Sequence, residues 1–360
     1  MKKGIIAISI AMALLSITNA CAVNITDCAT LSSGTYYLTQ DIINKSVSVC
    51  MNVPRNAHYV TLDCQNHLID GSGSGYGIYI DEYAGYVTIR NCRLSDWQRG
   101  VFFRQSGDSL VENTRVESSQ SCFVVHGYET WCPCDLNVTL RNCSADSCAN
   151  GFYIIGYTGT PSEVIYNITI DSCEVSNSNA GIKLDETLNN TIKNTKIHHN
   201  DYGVWFINTF YNHFYNNLFN NTHNLNFQTH NPQFWNTTRR SGVRIYGTGE
   251  IGGNYWTNYT GNGYSDTCTD ADSDGFCDSP LLITPYPSPQ YDYLPYSYLP
   301  PKVVCRFIDC SMLSPKREFF FLQVCHLINW WFCTPLAIYL TFLMILIVGT
   351  VLKIKDMIGK

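Results

Sequence analysis

Apolar and polar positions between Tyr59 and Phe227 follow one short pattern that returns along the chain. Val87-Thr88-Ile89-Arg90-Asn91-Cys92 comes back as Ser109-Leu110-Val111-Glu112-Asn113-Thr114 and as Val138-Thr139-Leu140-Arg141-Asn142-Cys143. It returns again as Ile168-Thr169-Ile170-Asp171-Ser172-Cys173, Asn190-Thr191-Ile192-Lys193-Asn194-Thr195 and Asn212-His213-Phe214-Tyr215-Asn216-Asn217. Aligned on residues 89, 111, 140, 170, 192 and 214, the copies are 22, 29, 30, 22 and 22 residues apart. Alternation with period two is the strand signature. A base period of 22 with insertions in two copies predicts stacked coils of β-structure.

Stacking the copies puts Ile89, Val111, Leu140, Ile170, Ile192 and Phe214 in one line, and Leu94, Val116, Ala145, Val175, Ile197 and Phe219 in a second. Between them fall Asn91, Asn113, Asn142, Ser172, Asn194 and Asn216. Parallel strands lie roughly 4.8 Å apart, so stacked amides at this position are expected to form an internal ladder that satisfies a buried turn. Two aliphatic lines beside an Asn line resemble the NosD-like carbohydrate-binding and sugar-hydrolase repeats of archaeal surface proteins. The resemblance covers about Cys28 to Pro295 and implies an all-β, right-handed parallel β-helix. In it, a Cys-bracketed strand precedes the first full coil, which implies a Cys28–Cys50 disulfide around Gly34-Thr35-Tyr36-Tyr37-Leu38-Thr39. Residues 23–58 then read as the opening cap, 59–232 as the coils and 233–300 as the closing cap, because terminal repeats need a covered face.

A second strand in each coil starts near a glycine, as in Gly77-Ile78-Tyr79-Ile80, Gly100-Val101-Phe102-Phe103, Gly181-Ile182-Lys183-Leu184 and Gly203-Val204-Trp205-Phe206. Alternation turns Ile78, Ile80, Val101, Phe103, Ile182, Leu184, Val204 and Phe206 inward. It turns Tyr79, Phe102, Val124, Tyr153, Lys183 and Trp205 outward. An outward aromatic row calls for a cover or a ligand. Sugar rings stack on aromatic faces through their C–H surfaces, so Tyr79, Phe102, Tyr153, Lys183 and Trp205 form the candidate glycan site; packing along the sheet is the competing reading.

Carboxylates do not collect into a catalytic group. Asp81-Glu82 and Asp185-Glu186 hold equivalent places four coils apart, about 20 Å at the strand spacing, beyond glycosidase separations. His198, His199, His213, His223 and His230 are close in sequence but fall in different columns, which disfavours a copper or zinc site, since ligands must converge.

The most specific motif is Asp270-Ala271-Asp272-Ser273-Asp274-Gly275-Phe276-Cys277-Asp278. Asp270, Asp272, Asp274 and Asp278, with the Phe276 carbonyl, carry calcium-loop spacing. The twelfth position is Leu281, so the bidentate Glu of an EF-hand is missing. A stand-alone structural Ca²⁺ loop is expected, with Cys268–Cys277 bracketing it. Calcium would fix the closing segment, whose Tyr255, Trp256, Tyr259, Tyr286 and Tyr293 are expected to cover Phe214 and Phe219.

Composition and the chain ends set the compartment. Met1-Lys2-Lys3, an apolar run to Ile17 and Ala20-Cys21-Ala22 read as a signal peptide over 1–22. The 17 Cys of the 360 residues lack zinc-finger spacing and indicate disulfides in an oxidising compartment. A net charge of −6 without a basic patch argues against nucleic acid. Residues 301–329 are Cys- and aromatic-rich, 330–352 are apolar enough to span a bilayer, and 353–360 form a basic cytoplasmic tail. Asn137, Asn167 and Asn189 begin N-glycosylation triplets at one column position, as Asn142 does in the Asn line, where the ladder would make it inaccessible. The sequence thus predicts a membrane-anchored cell-surface β-helix that binds glycan or acts as an adhesive or envelope scaffold. The alternative is a polysaccharide lyase or glycoside hydrolase using the same groove.

Overall fold

The computed structural model describes residues 22–127, 134–156, 165–285 and 287–298. These belong to one compact unit, Met1–Leu299, while a second, Pro300–Lys360, lies outside them. The leader, the segments 301–329, 330–352 and 353–360, and Tyr286 are therefore outside the described residues. No helix among the described residues is long and apolar enough to cross a membrane.

Each coil runs once round three parallel sheets. Thr88–Arg90 lies in sheet A, Arg93–Ser95 in sheet C and Arg99–Arg104 in sheet B, after which Ser109–Glu112 pairs with Thr88–Arg90. Parallel neighbours need a long crossover, and here the rest of the coil supplies it. Sheets A and B each contain nine strands and sheet C eight. The chain is a parallel β-solenoid.

Register follows the two aliphatic lines. Ile89 pairs in turn through Val111, Leu140, Ile170 and Ile192 to Phe214 in sheet A. Leu94 leads through Val116, Ala145, Val175 and Ile197 to Phe219 in sheet C. All twelve are buried. The next outward row of sheet A alternates in charge, from Asp63 through Arg90, Glu112, Arg141 and Asp171 to Lys193. Opposite charges on adjacent strands favour this register and disfavour slippage.

The Asn line makes the expected amide bonds from coil to coil, Asn113 to Asn91, Asn142 to Asn113 and Asn216 to Asn194, but its buried placement requires a correction. Asn91, Asn113, Asn142, Ser172, Asn194 and Asn216 all have φ between 50° and 57°, and Asn113, Asn142 and Ser172 are exposed. Asn tolerates the left-handed region better than other non-glycine residues, so this column turns the chain from sheet A to sheet C. Asn142 is accessible, contrary to the expectation from an internal ladder. The buried ladder is one residue later, where a side chain from one coil takes the backbone N–H of the coil before. Cys173 N–H donates to Thr195 Oγ1, Thr195 N–H to Asn217 Oδ1, and Asn217 N–H to Asn254 Oδ1 at 3.1 Å. Two other corners repeat the device, with Ser178 N–H on Asn200 Oδ1 and Asn190 N–H on Asn212 Oδ1. Every corner thereby pairs a backbone donor that a bend would otherwise strand.

Glycines opening the sheet B strands answer to close approach between coils. A Cβ on Gly181 would sit 2.8 Å from the Gly203 carbonyl oxygen, closer than carbon and oxygen pack. Four disulfides add cross-links: Cys28–Cys50, Cys64–Cys92, Cys122–Cys148 and Cys268–Cys277. Within residues 23–58, Gly34–Leu38 and Val49–Val53 pair with the first coil in sheets A and B.

At the far end the last coil is closed by stacked rings. Trp256 lies on Phe219 at 4.3 Å and Trp235 on Phe214 at 4.8 Å. Trp256 was expected there, but Tyr259 and Tyr293 are exposed and Tyr255 joins a small cluster with Phe276 and Tyr296. Sheet C itself runs on to Tyr255–Thr257.

Candidate functional site

Strand alternation sets one continuous row on the outward face of sheet B. Tyr79, Phe102, Val124, Tyr153, Lys183 and Trp205 are direct neighbours in that order. The outward direction holds, but openness does not. Phe102 is 3 % exposed and Val124 2 %, so the middle of the row is covered, whereas Tyr79, Tyr153, Lys183 and Trp205 are partly exposed. Phe102 is not an open platform: it stacks on Tyr79 at 5.5 Å and lies under the Arg99 guanidinium at 4.6 Å.

Cations lie against these rings. Lys183 Nζ is 4.6 Å from the Tyr153 ring centre and 5.7 Å from that of Trp205, within cation–π range. Its charge is balanced by Asp185 at 4.0 Å, to which the Tyr153 hydroxyl also donates at 3.2 Å. Burial, reinforced by Asp185, pushes the Tyr153 hydroxyl well up. At the other end Arg104 bonds buried Glu82 at 2.8 Å and donates to the Tyr79 hydroxyl, which donates to Asp81. The indole Nε1–H of Trp205 is buried and has no acceptor among the described residues, an exception to the pairing rule for buried polar groups.

A parallel row, missed in the sequence, holds titratable side chains. Arg104 pairs with His126, His126 with Ile155, and Ile155 with Asp185. Burial, with Arg99 and Arg104 close by, pushes His126 to about 4, so its imidazole is neutral at pH 7. His126 follows the degenerate strand Cys122-Phe123-Val124-Val125. Extending the register one place past each second strand would have exposed this column. The two carboxylate pairs, Asp81-Glu82 and Asp185-Glu186, remain at opposite ends of the row.

The acidic loop is brought together in part. Carboxylate oxygens of Asp270, Asp272 and Asp278 lie within 4.8 Å of one another. Asp274 is turned away: its Oδ2 meets Arg239 at 2.7 Å and its Oδ1 takes the Phe276 N–H. Burial tends to raise Asp270, but donation from Ser297 and from the N–H groups of Gly275 and Asp274 holds it below the usual carboxylate range. An all-oxygen donor set fits a hard cation such as Ca²⁺. Among the described residues no other trio of His, Cys, Asp and Glu converges in this way. His198 and His199 touch through their Nδ1 atoms at 2.6 Å, and His198 Nε2 lies 2.8 Å from Glu174.

Residues 21–261 match a family model described as Periplasmic copper-binding protein (NosD). The chain belongs to the NosD family. No curated protein matches it. Among solved structures, this NosD chain is similar to the A-module of the Azotobacter vinelandii mannuronan C-5 epimerase AlgE6, with 16 % identity and a TM-score of 0.37. That match covers 56 % of this chain and 65 % of the epimerase module. The AlgE4 A-module from the same organism gives 16 % identity over 56 % and 67 %, TM-score 0.35. An alginate lyase from Paenibacillus sp. str. FPU-7 gives 10 % over 59 % and 97 %, TM-score 0.32. Asn137, Asn167 and Asn189, which begin the three triplets, are all exposed at positive φ.

Proposed function

We propose that this NosD-family protein is an exported, membrane-anchored β-helix that binds glycan along the outward face of sheet B. The observation that carries the reading is the Tyr153–Lys183–Trp205 run, where partly exposed rings and a neutralised cation share one surface. Rings offer stacking faces to sugars. The basic leader and the apolar stretch 330–352 support export and anchoring. A glycan array tests the reading. Wild type is expected to bind a defined subset of glycans and Trp205→Ala to lose or weaken those that the sheet B face holds. A variant that binds the same subset with unchanged strength would contradict it.

One observation favours a second reading, action on polysaccharide. His126 is a neutral imidazole beside two guanidinium groups, and Tyr153 is oriented by Asp185. The guanidinium groups suit a carboxylate-bearing sugar, and a neutral imidazole beside them can accept a proton. Shortened or unsaturated products in the array incubations, absent with His126→Ala, would replace the binding reading with an enzymatic one.

Copper, named in the family description, does not fit the described residues. The converging trio is all carboxylate, and His198 already spends both ring nitrogens on His199 and Glu174; soft or imidazole donors suit copper. Calcium is the proposed ion, with a structural role at Asp270, Asp272 and Asp278. Binding to the folded state stabilises by RT ln(1 + [L]/Kd). Chelation is expected to lower the melting temperature and open the Trp256 region to protease, and Asp272→Ala to do the same. Unchanged melting and proteolysis in a sample shown to have held calcium would remove this role.

A further inference from the structure

The corner leading from sheet B into sheet A is a column of left-handed residues: Tyr59, Tyr86, Asp108, Asn137, Asn167, Asn189 and Tyr211. Asp and Asn suit that conformation, because a short polar side chain tolerates it. Tyrosine does not, and a bulky residue at positive φ is a strained choice. Yet Tyr59 and Tyr86 adopt φ of 58° and 55°, remain 70 % and 51 % exposed, and stack at 5.0 Å with their rings 8° apart. The strain is not offset by burial, so the core gives no reason for these two residues.

Immediately beside Tyr86 is a pocket of about 330 Å³, bordered by Thr88, Asp108, Leu110, Asn137, Thr139 and Arg141. Asn137 Nδ2 donates to Asp108 Oδ1 at 2.9 Å, which fixes two planar polar groups side by side. Leu110 interrupts an outward row otherwise made of Thr61, Thr88, Thr139, Thr169 and Thr191, giving the pocket an apolar floor between two hydroxyls. Arg141 is exposed at the pocket's edge and has no ion-pair partner among the described residues.

We propose that this pocket, with Tyr86 as its aromatic wall and Tyr59 stacked on Tyr86, binds a neutral pyranose unit of a glycan. The sugar's C–H face lies against Tyr86, and vicinal hydroxyls bond Asp108, Asn137 and Arg141. Asp108 and Arg141 place one charge of each sign on the rim, so the pocket carries no net charge to hold a uronate, which favours a neutral sugar. The volume falls at the lower end of small-ligand pockets. This site is on the sheet A side and is separate from the Trp205 row.

The test uses the full-length chain from a host without N-glycosylation, so that Asn137 is unmodified. Cellohexaose, mannohexaose and chitohexaose are titrated by calorimetry against wild type, Tyr59→Asn/Tyr86→Asn, Tyr211→Asn and Trp205→Ala. The double variant installs the residue that the same column uses at Asn137, Asn167 and Asn189, so folding is retained. At least one hexaose is expected to bind wild type, and the double variant to bind it at least tenfold more weakly with an equal or higher melting temperature. Tyr211→Asn and Trp205→Ala are expected to keep it. Wild-type affinity in the double variant, no binding of any neutral hexaose, or a melting temperature several degrees lower in the double variant overturns the proposal. Loss in Trp205→Ala alone likewise overturns this pocket while leaving the sheet B reading in place.

Discussion

Replacing Ile170 by Asp is expected to abolish cooperative folding of the solenoid. Ile170 is 1 % exposed and sits in register between Leu140 and Ile192, with aliphatic side chains above and below it. No cation points into that line, so the new carboxylate would be buried without a partner at a cost of more than about 4 kcal/mol. Domains of this size have a total stability of about 5–15 kcal/mol. Ile170→Val should cost only about 1 kcal/mol, and Thr169→Asp, one place along and outward, should be tolerated. Thermal unfolding of the three variants checks the register. A stable Ile170→Asp with an unfolded Thr169→Asp would mean that the strand is shifted by one residue.

The second large effect is expected at Asp292, which is fully buried under the closing cap. Its Oδ2 accepts from the Trp256 indole, from the Asn254 backbone and from the Asn254 side chain, while Oδ1 accepts from the Leu294 N–H. Asp292 therefore holds the ring that covers Phe219 and the amide that ends the corner ladder. Asp292→Ala would strand four donors, a loss of about 3–5 kcal/mol, and free Trp256 to leave the coil end. Burial, only partly offset by those donors, raises Asp292 to about 7 from an unfolded value of 3.8. A carboxyl raised on folding binds its proton more readily in the folded state, so its contribution is full below about pH 4 and declines as pH rises through 7. The stability gap between wild type and Asp292→Ala should accordingly be widest in acid and narrow towards pH 8. A gap that widens with pH would show that the ionised form is the one the cap favours.

These two residues also mark what the sequence could and could not reveal. Ile170 was legible because strand alternation and the coil repeat both fix it, and the same two periods placed Val204, Phe206 and the row from Tyr79 to Trp205. Asp292 was not, because its partners come from residues 254, 256 and 294, and no local pattern signals such a junction. The Asn column misled for a physical reason. Asn can form stacked amide ladders and can also adopt positive φ, and here it does both, at a turn whose middle members are exposed. The true ladder mixes Thr114, Cys143, Cys173, Thr195 and Asn217, so no shared identity announced it. Phe102 and Val124 were expected to be open, but facing outward from a strand does not determine what lies above it. In the acidic loop, spacing identified Asp270, Asp272 and Asp278, whereas the diversion of Asp274 depends on Arg239, remote in sequence.

Hydroxyl-radical footprinting of the full chain, with and without a glycan selected on the array, tests the central claim most directly. The account predicts protection at Tyr79, Tyr153 and Trp205 on binding, with the buried Phe214 and Phe219 unchanged. Undiminished labelling of Tyr153 and Trp205 in the saturated complex would contradict it.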